Sequence, residues 1–225
     1  MLLLVWKKQK TYLKKLYEWT TTMILYTDAT TPFGRKCIVA ALERDIPLTE
    51  RFIKLSEPGV FLEINPLNQI PALFVETGKC YFDSDVILEF LDTLHDNQPL
   101  IPQNAKFESK TAIHLANCII ESTLLRTMEL RRPKAEQSKS FVSHLEARVT
   151  RGIKSMENNR REKIGDFLSG EEITTAVALS YVDFRFFQDW RKTAPTLEKW
   201  YAEISSRKSM RITVPTREKP VGIES

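Results

Sequence analysis

The chain has 225 residues, 33 Lys and Arg against 29 Asp and Glu, 42% hydrophobic residues and three Cys, enough for one large or two small domains and too apolar and evenly charged for disorder. Five lysines and one glutamate in residues 1–22 account for the whole formal charge of +4, so residues 23–225 hold 28 bases and 28 acids and lack the basic footprint of a nucleic-acid-binding body. No apolar run approaches the roughly 20 residues a membrane-spanning helix requires.

In residues 1–22 the apolar run Leu2–Trp6 precedes the lysines, which is the wrong order for a secretory leader. This segment is expected to lie outside the fold. With Trp6, Tyr12, Leu13, Leu16 and Trp19 among the lysines, it is the one part of the chain from which membrane or partner binding is conceivable. Met23–Tyr26 reads as a buried strand ending in the polar turn Thr27-Asp28-Ala29-Thr30-Thr31. Thr31 followed by Pro32 is a helix start, with Ile38, Val39, Ala41 and Leu42 behind it, and predicts a helix to about Arg44.

Leu48–Ile53, bounded by Pro47 and by Ser56-Glu57-Pro58-Gly59, is a second strand. After the turn-rich Asn65–Pro71, the runs Ala72–Val75 and Cys80–Phe82 around Glu76-Thr77-Gly78-Lys79 predict a hairpin. Asp83 and Ser84 cap a helix whose face is Val86, Ile87, Phe90, Leu91 and Leu94. The order is therefore βαβ then ββα over residues 23–95. Residues 95–104 read as an interdomain linker.

From 105 to 225 only helical spacing appears. One segment carries Ala112, Ala116, Ile119, Ile120, Thr123 and Leu124 and stops before Pro133; another carries Phe141, Leu145, Val149 and Ile153. Ala176–Phe187 predicts a buried central helix, and Leu197, Trp200, Tyr201 and Ile204 one more after Pro195. Cys37, Cys80 and Cys118 stand in no disulfide or metal-ligand spacing, so they read as thiols in a reducing cytosol, and no metal is expected.

Three segments carry a resemblance. Thr31-Pro32-Phe33-Gly34-Arg35-Lys36 resembles the Ser/Cys-Pro-aromatic-x-Arg-Lys segment of bacterial and omega-type cytosolic glutathione transferases. Asn65-Pro66-Leu67-Asn68-Gln69-Ile70-Pro71-Ala72-Leu73 is similar to that family's Asn-Pro-x-Gly-x-Val-Pro-x-Leu, and Phe82–Leu91 to its Glu/Asp-Ser-x-x-Ile-x-x-Tyr-Leu. The resemblance covers roughly residues 23–215. It implies a thioredoxin-like α/β domain followed by an all-α domain, a cytoplasmic homodimer, and conjugation of the glutathione thiolate to a small hydrophobic electrophile in detoxification.

It also implies the site. Thr31, with Thr30 as the alternative, would stabilise the thiolate at a helix N-terminus. Ile70 before a cis Pro71 would meet the cysteinyl backbone, Asp83 and Ser84 the γ-glutamyl end, and Gln69 the glycyl end. Phe33, Asn117 and Glu121 would line the electrophile pocket or reach a partner subunit. Cys37, two turns into the helix, is expected in the core. Relatives open the central helix of the second domain with Ser/Thr-x-x-Asp. Here the segment after Gly170 looks about five residues short, with Thr174 or Thr175 capping alone. That departure, and Thr in place of Ser, Cys or Tyr, point to a non-catalytic binding or scaffold module as the alternative; a glutathione-dependent isomerase or dehalogenase would share the site and differ only in substrate.

Overall fold

In the computed structural model, residues 23–95, 98–159, 166–185 and 189–215 are described. The basic segment 1–22, the charged run Arg160–Lys163 and the expected helix end Phe186–Phe187 lie outside them. The apolar run after Met23 forms β1 (Ile24–Thr27), and Pro32 opens α1 (Pro32–Glu43), followed by β2 (Thr49–Phe52) and the short α2 (Phe61–Ile64). The hairpin is β3 (Ala72–Phe74) and β4 (Cys80–Tyr81), turned at Gly78 with φ +79°, and α3 (Ser84–Asp92) follows. The sheet order is β2-β1-β3-β4. β1 runs parallel to β2 and antiparallel to β3, with Leu25 opposite Leu73, and β3 runs antiparallel to β4.

The helical half comprises α4 (Lys106–Arg131), α5 (Lys139–Asn158), α6 (Gly170–Arg185), α7 (Pro195–Ser205) and α8 (Lys208–Ile212). α6 is the most enclosed of them: every residue from Ile173 to Val182 is buried. One continuous apolar cluster joins Leu25, Val39, Leu73 and Ile87 of the sheet half to Ile120, Val177 and Leu179 of the helical half. The connection between the halves is built into that core rather than draped over it. Leu100 and Ile101 are buried, Asp92 accepts the backbone N–H of both, and the carbonyl of Leu100 accepts the N–H of Gly170.

Three sequence readings need correction. α6 does not open at Thr174 or Thr175: it begins at Gly170, where Ser169 Oγ accepts the N–H of Glu172, while Glu172 Oε2 accepts from the N–H and hydroxyl of Ser169. This is a complete capping box. Thr174 and Thr175 are buried inside the helix, and Thr174 donates to the carbonyl of Gly170. In α3 the packed face is Ile87, Leu88 and Leu91, with Val86 and Leu94 exposed. Phe141, at the start of α5, is also exposed.

Candidate functional site

Because β1 is antiparallel to β3 and β3 to β4, the end of β1, the start of β3 and the end of β4 meet at one end of the sheet. The Asp28–Thr31 loop, Ile70-Pro71 and Asp83-Ser84 follow or precede those strand ends, so the topology gathers three distant segments. The N-termini of α1 and α3 also start there. Their exposed N–H groups and dipoles favour negative charge at this end.

The loop after β1 is organised by Asp28. Its Oδ1 accepts the N–H of Thr30 at 2.5 Å, the hydroxyl of Thr30 at 3.0 Å and the N–H of Thr31 at 2.7 Å. Thr31 occupies the N-cap of α1 with extended φ and ψ, but its side chain makes no capping bond. The two candidate hydroxyls therefore differ: that of Thr30 already donates to a carboxylate, while that of Thr31 is not spent on its own helix. Gly34 fixes the fit beneath. A Cβ there would lie 2.0 Å from Thr27 Oγ1 and 2.8 Å from the Thr31 methyl, so α1 sits this close to β1 only because Gly34 has no side chain.

Ile70-Pro71 is cis, and the β1–β3 ladder reaches only to Ala72, leaving the backbone of Ile70 beyond it. The preceding turn is held by buried Asn65, whose amide donates to the carbonyl of Gln69 and whose Oδ1 accepts the N–H of Leu67. Asn68 takes φ +51°, the left-handed region that Gly and Asn tolerate best, which accounts for Asn where the family motif has Gly. The Gln69 side chain is exposed. Asp83 is the N-cap of α3, accepting the N–H of Asp85, and Ser84 is buried in the first turn.

Sequence reasoning missed the groups that lock α1 in place. Lys36 is fully buried, with Nζ 2.6 Å from Asp85 Oδ1 and 3.0 Å from Asn117 Oδ1, and Asn117 returns its amide to both oxygens of Asp85. Burial alone would raise the Asp85 carboxyl, but the Lys36 ammonium and these hydrogen bonds hold it below its ordinary value. Arg35 is also buried, donating to Ser180 Oγ, the carbonyl of Met210 and Thr213 Oγ1, and burial pushes its guanidinium down to about 10. Cys37 is in the core, and burial pushes its thiol up to about 12, which makes it inert as a nucleophile at neutral pH. Among the described residues no group of three or more His, Cys, Asp or Glu side chains could hold a metal ion.

Two hollows adjoin the loop. A cavity of about 280 Å³ touches Thr30, Thr31, Arg35, Ile38, Val177 and Tyr181, and an open groove of about 650 Å³ runs from Thr30 along the C-terminal half of α4 to the end of α6. Asn117, committed to Lys36 and Asp85, lines neither hollow; nor do the exposed Glu121 and the half-buried Phe33, whose ring lies 6.0 Å from Lys36 Nζ.

Known proteins share this arrangement. Residues 30–94 match the family model for the N-terminal domain of glutathione S-transferase. A glutathione transferase family member from Pseudomonas fluorescens Pf-5, solved with bound glutathione, is 30% identical and superimposes with a TM-score of 0.82 over 87% of this chain and all of that one. A glutathione S-transferase from Methylobacillus flagellatus KT, also with glutathione bound, is 30% identical with a TM-score of 0.81 over the same shares. The uncharacterized GST-like protein YibF of Escherichia coli K12 is 28% identical over 204 residues, 87% of this chain and 100% of that protein. With the thioredoxin-like sheet, the cis-proline and the helical half in place, the chain belongs to the glutathione S-transferase family.

Proposed function

We propose that this protein conjugates glutathione to a small electrophile, with Thr31 as the group that stabilises the thiolate. The observation that carries the reading is the difference between the two threonines. Thr31 stands at the positive end of α1 with its hydroxyl unused for capping, while Thr30 donates to Asp28. Glutathione-bound structures of relatives support the ligand. The Ser169–Glu172 box also removes the sign of a damaged core helix that favoured a non-catalytic scaffold.

In this reading the peptide's γ-glutamyl carboxylate sits at the α3 N-terminus against Ser84, with Asp83 facing its ammonium group. Its cysteinyl backbone pairs with Ile70 ahead of the cis Pro71, and Gln69 serves the glycyl end. A free thiol titrates near 8.5, so most of it is protonated at neutral pH. The dipole of α1 and a hydrogen bond from Thr31 Oγ1 both favour the thiolate, and each unit of lowering corresponds to about 1.4 kcal/mol. The thiol proton leaves to solvent, the sulfur lone pair forms the S–C bond, and the electrophile loses its leaving group or gains a proton on the adjacent carbon. Assembly as a cytoplasmic homodimer and a part in detoxification belong to the same proposal. A glutathione-dependent isomerase or dehalogenase would use the same thiolate.

The test is a set of single variants. Thr31→Val is expected to lower kcat/KM with 1-chloro-2,4-dinitrobenzene by roughly 10- to 100-fold, the value of one charge-assisted hydrogen bond, and to raise the pKa of the pH–rate profile. Thr31→Ser and Thr30→Val should stay within a few-fold of the parent. Conjugation at the parent rate by Thr31→Val, with Thr30→Val impaired, would transfer the role to Thr30.

A further inference from the structure

We propose that the open groove beside Thr30 selects anionic co-substrates, carboxylate-bearing electrophiles above all. This deepens the transferase reading and rests on it, because the groove begins at the loop that carries the thiolate-stabilising threonine. Among the described residues its lining contains Arg126, Arg131 and Arg185 and no carboxylate, with Leu130 and Phe184 as apolar surface for a carbon skeleton.

The three cations are not equivalent. Arg126 is 2.7 Å from Glu146, which neutralises and positions it. Arg131 is exposed on the last turn of α4 and forms no ion pair among the described residues. Arg185 lies over the ring of Phe184 at 4.2 Å and near that of Tyr181 at 5.9 Å, and its Nε is buried without a hydrogen-bond partner among the described residues. A guanidinium held on aromatic faces with donors to spare is a planar fork suited to a carboxylate.

The acids on the neighbouring elements are already engaged. Asp28 accepts from Thr30 and Thr31, Glu129 from the N–H of Ser138 beside Arg132, and Asp183 from Trp190 and Arg191. Asp28 meets only neutral donors and keeps its charge, but Glu129 and Asp183 are ion-paired with Arg132 and Arg191, so Arg131 and Arg185 together outweigh it and leave the described part of the groove net positive toward an incoming anion.

The probes are 4-chloro-3-nitrobenzoate and its neutral isostere 4-chloro-3-nitrobenzamide. In both, the thiolate attacks the carbon bearing chlorine, the C–S bond forms, and chloride leaves with the bonding pair. The carboxylate and carboxamide are unchanged. The kcat/KM ratio of the pair, divided by the ratio of their uncatalysed rates with glutathione, is expected to favour the carboxylate about ten-fold at low salt and to fall as ionic strength rises.

Arg131→Gln, on an exposed side chain, should remove part of the preference, and the Arg131→Gln, Arg185→Gln double variant nearly all of it, with glutathione affinity unchanged. No preference in the parent, or one that survives the double variant, overturns the proposal. Calorimetry with the two preformed glutathione conjugates reads the same preference without turnover. Tighter binding of the acid conjugate that the double variant loses supports the groove assignment even if conjugation fails, and equal affinities overturn it. If glutathione and both conjugates all fail to bind, the glutathione reading falls and this inference falls with it.

Discussion

Lys36 is fully buried, whereas 38% of the Asp85 side chain remains in contact with solvent. Removing the carboxylate strands a buried ammonium; removing the ammonium leaves a carboxylate that can hydrate and still accepts from Asn117. Asp85→Ala should therefore destabilise by about 3 kcal/mol or more and Lys36→Met by only about 1 kcal/mol, read from urea titrations. Equal losses would refute the asymmetry. The folded carboxyl titrates below its ordinary 3.8, so its contribution is complete above that value and is lost as pH falls through the lower folded one. The stability gap between parent and Asp85→Ala should thus be constant from pH 7 to about 5 and narrow below about 4. At Gly34 two effects compete: alanine is the better helix former by about 1 kcal/mol, but its Cβ would overlap Thr27 Oγ1 and press on the Thr31 methyl. Overpacking costs about 1–3 kcal/mol and here displaces the threonine itself, so Gly34→Ala should lose both stability and conjugation rate. Adding Thr27→Ala, which removes the nearest obstacle, should restore part of each.

Helix starts show which elements the sequence could reveal. Thr31-Pro32 and Asp83-Ser84 are local signals, and α1 and α3 begin where those signals stand. The start of α6 stands in the sequence too, as Ser169 followed three residues later by Glu172, but the family's Ser/Thr-x-x-Asp form points instead to Thr174 and Thr175, which the structure buries inside the helix. α7 was legible in its Pro195 and apolar face, though not in its cap. Its N-cap residue is Ala194, and Glu157 at the end of α5 supplies the acceptors instead, 3.0 Å from the N–H of Thr196 and 2.7 Å from that of Leu197. No sequence period reports a cap donated from 39 or 40 residues away. The same holds for Lys36, which polarity patterning places at the surface and a partner on another helix draws inside. Ser169→Ala and Glu157→Gln should each cost about 1 kcal/mol in thermal or urea unfolding. A Glu157 effect near zero would mean that α7 is held by Leu197, Trp200 and Ile204 alone.

Across the whole molecule, α1 serves both the sheet and the helices. Its Arg35 reaches Ser180 on α6 and Met210 and Thr213 around α8, and its Glu43 accepts a two-pronged bond from Arg207 and another from the hydroxyl of Ser209. Together with the apolar cluster that runs through both halves, these contacts make separate unfolding of the sheet costly, since it would expose α6 and strip the partners from two arginines. A single transition follows, with far-UV circular dichroism and the fluorescence of Trp190 and Trp200 moving together. Arg35→Met keeps much of the side-chain volume and removes three charge-assisted hydrogen bonds. It also relieves the burial of a cation met only by neutral acceptors, so the loss should be about 2–3 kcal/mol and not the sum of three bonds. The midpoint should shift with an unchanged denaturant slope and both probes still coincident. If the tryptophan signal instead separated from the circular dichroism signal, Arg35 would be the clasp that couples two otherwise independent halves, and the shared core would be insufficient to do so.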